Sequence, residues 1–385
     1  MRLVICGAGV IGSNLARHLS GEGHEVNLIE QDRRVALKAS EKLDVKVLVG
    51  SASQPSVLEL ADIAEAEMVI AVTDSDLSNL AICSLAAAYG TRSRIARVRS
   101  MGLNDVINRF GRAHFHVNEI INPDEVAAQA IAKVLAAPGS REVADFAEDK
   151  VLLRSFDIFS DSPLIGIKLK DLKAKDFPWP FLVVAINRNG SVIIPGGENT
   201  VEDGDRIYVI LPKPSLPEFL TFVHPEVRLP RKVVIYGATN TGVSLAMSIE
   251  DKVKEVLLLE ENRSLAEDVA GTLSAVRVIS GPASEADILH ECGIEATDAF
   301  IAVSANDHSN LVSAVLAKKM GAKTAVITTN QPEYVGIVGA LDIDAVINPR
   351  LLATDQILRF VRGGRISTLA TLPECKAEVL ELLPE

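Results

Sequence analysis

Near the amino terminus, Gly7-Ala8-Gly9-Val10-Ile11-Gly12 follows a short apolar run, Leu3–Cys6, and leads into a helical stretch. Glycines at this spacing, between a strand and a helix, suit the reception of a pyrophosphate. Gly7 allows the tight turn, Gly9 lets backbone approach the phosphates, and Gly12 lets helix and strand pack closely. The first-turn amides and the helix dipole then favour an anion. Glu30 ends the next apolar run, Val26–Ile29. A carboxylate there accepts hydrogen bonds from ribose hydroxyls and repels a 2′-phosphate. Together these residues predict binding of NAD(H) or an adenine nucleotide, in preference to NADP(H).

Two further groups belong to the same chemistry. Thr73-Asp74 follow a third apolar run, Met68–Val72. In an open sheet they stand at the carboxyl end of a strand, where ligands bind. Plain capping of the next helix by Asp74 or Ser75 is the structural alternative. Arg97 and Arg99 alternate in Arg94-Ile95-Ala96-Arg97-Val98-Arg99. Arginines on one face of a buried strand need a partner, because an unpaired buried charge is costly. A bound phosphate is one such partner, and a carboxylate of the same domain is the other. His114 and His116 alternate on the next expected strand but lack further ligands for a metal.

The set recurs. Gly237-Ala238-Thr239-Asn240-Thr241-Gly242 follows Val233–Tyr236, and Glu260 ends Val256–Leu259, an offset of about 230 residues. Ala71-Val72-Thr73-Asp74-Ser75-Asp76-Leu77-Ser78-Asn79-Leu80 matches Ala302-Val303-Ser304-Ala305-Asn306-Asp307-His308-Ser309-Asn310-Leu311. Ile121-Asn122-Pro123 matches Ile347-Asn348-Pro349. So many pairs at one spacing indicate an internal duplication. The second copy departs from the first where it matters for phosphate. Thr239 replaces the middle glycine, and Thr328 and Asn330 stand opposite Arg97 and Arg99. The second site, comprising Gly237, Ala238, Thr239, Asn240, Thr241 and Glu260, is therefore expected to be weaker or altered.

To position these residues, each copy must alternate strand and helix. Short Val/Ile/Leu-rich strands are expected near 2–6, 25–29, 45–49, 67–72, 94–99 and 114–121. They are apolar on both faces, as parallel strands covered by helices must be. The fold class is α/β: two Rossmann-like, doubly wound parallel sheets with a small α+β domain between them. Residues 1–122 form the first Rossmann unit, and 123–149 a crossover helix and linker. Residues 150–225 form the small domain, and 231–350 the second Rossmann unit. Residues 351–385 comprise a second crossover helix and the truncated start of a second small domain. Within that last segment, Ala377–Leu380 has no evident sheet to join and is expected to be mobile or to pack on a neighbouring chain.

The 385 residues suffice for several cores, and the composition is that of an ordinary globular protein. No apolar run approaches the ~20 residues that cross a bilayer. The first strand leads directly into the glycine motif, without a signal peptide, so a cytoplasmic protein is expected. Cys6, Cys83, Cys292 and Cys375 lie far apart and read as small buried residues in a reducing compartment. A net charge of −12 argues against a nucleic-acid partner.

The order Rossmann unit, crossover helix, small α+β domain, second Rossmann unit resembles the TrkA family of potassium-uptake regulators, built from RCK (KTN) domains. The resemblance is carried by Gly7 to Gly12, Glu30, Ala71 to Asp76, Asn79 and Arg94 to Ser100. It extends to Pro163-Leu164-Ile165-Gly166, Glu202-Asp203-Gly204-Asp205 and Leu316 to Ala322. It implies a regulatory subunit peripheral to the inner face of the cell membrane, bound to a Trk-type potassium transporter. Such subunits bind NAD(H) and ATP or ADP, and assemble as a tetrameric ring that gates the pore. An NAD-dependent oxidoreductase is the alternative from another class. That reading needs a proton donor near the nicotinamide, and His224 is the sole histidine of 150–225.

Overall fold

A computed structural model describes residues 1–138, 140–147, 150–173, 180–223, 229–331, 334, 341–362, 366–372 and 377–382. Cys375 and His224 lie outside the described residues. Two compact units form, the first from Met1–Ala127 with Asn348–Val361 and the second from the rest of the chain.

The first unit alternates as expected through β1 (Arg2–Cys6), α1 (Val10–Gly21), β2 (Glu25–Glu30), α2 (Arg33–Lys42), β3 (Lys46–Val49) and α3 (Pro55–Leu60). It continues through β4 (Met68–Ala71), α4 (Asp76–Ala88), β5 (Ser93–Arg97), α5 (Met101–Phe110) and β6 (Glu119–Ile121). All six strands are parallel, in the order β3-β2-β1-β4-β5-β6. The chain reverses direction of winding between β1 and β4, the switch point at which such sheets open a crevice. Alternate residues of each strand serve opposite faces. Leu3 and Ile5 pack with Ile11, Leu15 and Leu19 of α1, whereas Val4 and Cys6 pack with Leu80, Ile82 and Cys83 of α4. Burial pushes the Cys83 thiol up to about 12 and the Cys6 thiol higher still, so both stay protonated and act as small apolar groups.

Crossover helix α6 (Pro123–Ala136) follows. A five-stranded antiparallel sheet is then built from β7 (Ser140–Phe146), β8 (Val151–Asp157), β9 (Leu182–Arg188), β10 (Ser191–Ile193) and β11 (Arg206–Pro212), and is followed by α7 (Leu216–Val223). Its order is β10-β9-β11-β8-β7. Phe156 and Phe219 meet at 5.3 Å between ring centroids, fixing α7 to the sheet. β7, which falls within the expected linker, is one of the two edge strands.

The second Rossmann repeat runs β12 (Lys232–Tyr236), α8 (Asn240–Ile249), β13 (Glu255–Glu260), α9 (Arg263–Ala270), β14 (Arg277–Ser280) and α10 (Ala286–Glu291). It ends with β15 (Ala299–Ala302), α11 (Asp307–Lys319), β16 (Thr324–Thr328) and β17 (Ala345–Ile347). The order β14-β13-β12-β15-β16-β17 repeats the first sheet. Helix α12 (Pro349–Arg362) then leaves its own repeat and completes the first. Ala353, Ile357, Leu358 and Val361 enter the cluster of Leu3, Ile5, Ile70, Ile95 and Ile121.

Two expectations are corrected. Residues Arg112–Phe115 form a 3-10 turn and His116 takes a left-handed conformation (φ 53°), so His114 and His116 are not on a strand. Gly111, at φ 90°, ends α5 and redirects the chain before a regular strand can start. At the carboxyl end, Ala377–Leu380 does find a partner. β18 (Ile366–Leu372) and β19 (Ala377–Leu382) pair antiparallel, as β7 and β8 do after α6.

Candidate functional site

The glycines of the first loop divide their work. Gly7 lies at φ +106°, and a Cβ there would stand 3.0 Å from Val72 O. A Cβ on Gly12 would meet Gly7 O at 1.8 Å. These two glycines shape the loop against β4 and α1. Gly9 differs, since its φ is −65° and a Cβ there would meet nothing within 4 Å. The space above Gly9 is open. Gly9 is also the N-cap of α1, and no side chain caps that helix. The first-turn amides of Val10, Ile11 and Gly12 thus present the positive helix end to the crevice.

Glu30 braces the same loop. Its Oε2 accepts from Ala8 N at 2.7 Å and its Oε1 from Asp32 N at 2.8 Å. A carboxylate has about four acceptor positions, so lone pairs remain for a ligand. Asp32 is committed elsewhere, capping α2 through Arg34 N and Val35 N.

Thr73 and Asp74 sit beside this loop at the end of β4, as expected, but their polar atoms are not equally free. Thr73 donates through N and Oγ1 to Asn79 Oδ1, at 2.9 and 2.7 Å. Asn79 Nδ2 donates to Thr73 O and to Arg97 O. Asn79 is fully buried and staples the end of β4 to the end of β5. The sequence reading gave it no role, although its match with Asn310 across the repeat was the available signal. Ser75, not Asp74, caps α4.

The arginines diverge. Arg97 ends β5, and its side chain is 12% exposed. Its Nε is buried without a hydrogen-bond partner. Its sole ion pair among the described residues is Nη2 to Asp74 Oδ1 at 3.4 Å. Burial holds its guanidinium below the usual arginine range, against the opposing pull of Asp74. Arg99 lies beyond β5 and bonds Asp124 through Nε at 2.9 Å. It thereby ties β5 to the first turn of α6, and the Asp124 hydrogen bond raises its pKa.

The second cleft keeps the frame. Glu260 accepts from Ala238 N and Asn262 N, and Asn310 staples Ser304 to Thr328. Its phosphate end differs. Thr239 caps α8, accepting from Gly242 N at 3.3 Å and donating to Val303 O at 2.8 Å. Its side chain fills the space that is open above Gly9. Thr328 holds the place of Arg97. Gly237 and Ala238 complete this loop, and Asn240 and Thr241 start α8.

Two concavities of the first unit, of about 500 and 200 Å³, lie beside Met1, Glu67 and Ser93 and beside Arg2 and Asp62. These residues are at the amino ends of the strands, away from the glycine loop. The chemistry of the crevice lies in its amides and Arg97. Among the described residues no helix is long and apolar enough to cross a membrane.

Known proteins share this organisation. The TrkA-N domain model matches residues 3–123 and 233–349, and the TrkA-C domain model matches 153–224. The Trk system potassium uptake protein TrkA of Vibrio alginolyticus is 31% identical over 383 residues, covering 99% of this chain and 83% of that protein. That of Haemophilus influenzae is 30% identical, covering 100% and 84%. Among solved structures, the GsuK channel bound to NAD superposes with a TM-score of 0.68 at 17% identity. It covers 94% of this chain, and the chain spans 63% of that channel. The two sequence relatives are named as potassium uptake proteins, which sets the oxidoreductase alternative aside. Two matched Rossmann repeats around a matched small domain, with near full-length relatives, place the chain in the TrkA family of Trk system potassium uptake proteins.

Proposed function

We propose that the chain is a cytoplasmic regulatory subunit of a Trk-type potassium uptake system, peripheral to the membrane, that binds NAD(H) in its first Rossmann crevice. ATP or ADP is a further ligand of the same chemistry. One observation carries the assignment: the α1 end is uncapped at the switch point of the sheet, and at the carboxyl end of β5 in the same sheet Arg97 has a buried Nε without a hydrogen-bond partner. A pyrophosphate supplies what both lack, accepting from the α1 amides and from Arg97. Ala8, Gly9, Val10, Ile11, Glu30 and Thr73 complete the site, with Glu30 on the ribose hydroxyls. Arg99, held by Asp124, serves the site by positioning the start of α6.

Nucleotide binding is read out by the membrane subunit through a ring of such chains, a tetramer in this proposal. The relatives' potassium-uptake names and the RCK architecture support that step. The test is calorimetric titration of the full chain with NADH, followed by co-purification with a Trk-type membrane subunit with and without NADH. Tight binding lost in Gly9→Ala and in Glu30→Ala is the expected result. Equal affinity in all three proteins would remove the site assignment.

A further inference from the structure

The charged groups around the first crevice are satisfied, with one exception. Glu30 and Asp32 accept backbone amides. Asp76 accepts from Arg99 N and Ser100 N, and Arg99 holds Asp124. Asp74 and Arg97 remain, with one long contact of 3.4 Å between them. Charge-assisted hydrogen bonds of this kind settle near ~2.8 Å when geometry allows. Asp74 is fully exposed and makes no other hydrogen bond among the described residues, while Arg97 is held below it by β5 and by the Asn79 staple. The internal repeat adds an independent observation. In the second copy Ala305 stands for Asp74 and Thr328 for Arg97, so both members are absent together.

We propose that Asp74 is the specificity-determining residue of the first crevice, a charge filter that favours a dinucleotide pyrophosphate over a nucleoside triphosphate. The proposal rests on the nucleotide reading of that crevice. A phosphate that engages Arg97 must share it with Asp74 or displace it, and the carboxylate stays close enough to repel every further phosphate charge. A pyrophosphate diester carries two charges spread over the α1 amides and Arg97. A triphosphate carries about twice that charge, and no second uncommitted arginine stands at the ends of β4 and β5 among the described residues. The selectivity therefore arises from what Asp74 excludes. Since Asp74 is exposed, its effect falls with ionic strength.

The test titrates the full chain with NADH and, separately, with ATP, in wild type, Asp74→Asn, Asp74→Ala and Arg97→Ala. Both Asp74 substitutions lie on the surface, so thermal melts should be unchanged. ATP binding should tighten roughly tenfold in Asp74→Asn, and NADH binding by no more than roughly threefold. The ATP gain should shrink when salt is raised from ~0.05 to ~0.5 M. It should also shrink in the Asp74→Asn, Arg97→Ala double variant, because contacting residues couple. Weaker binding of both ligands in Asp74→Asn would overturn the filter and make Asp74 a direct ligand group. An equal gain for the two ligands, or none, would also overturn it while leaving the nucleotide site intact. Absence of binding in both wild type and Asp74→Asn would overturn the nucleotide reading, and the filter with it.

Discussion

At the scale of single residues, the three glycines of the loop serve different ends. Gly12→Ala places a methyl 1.8 Å from Gly7 O and forces α1 away from β1. It should cost about 3 kcal/mol or more by denaturant unfolding. Gly9→Ala meets open space and a φ any residue adopts, so it should cost no more than about 1 kcal/mol, the difference between glycine and alanine at an N-cap. Its methyl stands where the pyrophosphate must approach, so NADH affinity should drop at least roughly tenfold. A Gly9→Ala protein that unfolds more easily but binds normally would reverse this assignment. Asp145 offers a separate check in the small domain. Burial pushes its carboxyl up, but the Lys133 and Arg154 ion pairs outweigh that and bring it below its usual 3.8. A folded value below the unfolded one gives stability that is present above the unfolded pKa and lost as pH falls through the folded one. Asp145→Asn should flatten the unfolding profile below pH ~4 and lower stability at neutral pH by about 3 kcal/mol. An unchanged acid limb in urea titrations would show that the pair contributes little.

At the scale of elements, one loop difference separates two otherwise matched helices. α1 opens without a cap, and α8 opens on Thr239, whose hydroxyl occupies the first turn. A threonine cap contributes about 1 kcal/mol, and its replacement by glycine costs only part of that. Thr239→Gly should therefore fold normally and uncover the α8 amides, without restoring the missing arginine. Nucleotide binding to the second crevice should become detectable but stay weaker than to the first. α12 supplies the other element-level expectation. Ile357 is fully buried in the core of the first unit, more than two hundred residues from most of its neighbours in sequence. Ile357→Ala should destabilise that unit by about 2–5 kcal/mol. Amide exchange should rise in β1 and β4 if so, and protection unchanged there would mean that α12 adds little to the first core.

At the scale of the whole molecule, the duplication gives two like frames and unlike sites. The second crevice lacks the open glycine, the arginine and its acidic companion. Each charge-assisted contact to a phosphate is worth roughly 1.5–3 kcal/mol, so the loss of one already weakens binding tenfold or more. Calorimetry should find one strong NADH site per chain, with the second crevice empty at concentrations that fill the first. Two equal, tight sites would refute the asymmetry.

Much of this was legible in the residues. Strand-glycine-helix order with an acidic residue after the next strand sets the Rossmann frame, because turn geometry and helix packing leave few other solutions. The repeat spacing gave the second frame, and Thr239 announced its altered loop. Other features depend on atoms brought together from distant positions. Arg97 and Arg99 share a strand pattern, yet the strand ends at Arg97 and Asp124 captures Arg99. Asp74 lies next to Thr73 in sequence, but only the juxtaposition of β4 and β5 makes it the partner of a half-satisfied arginine. Ala377–Leu382 finds its partner strand only when β18 folds back on it. Least visible from the sequence was where α12 goes, since its apolar face states that it must be buried and says nothing of which sheet will cover it. Local pattern determines elements because propensity and periodicity are short-range. Partners across the chain are decided by which apolar faces and charges remain unsatisfied once those elements meet.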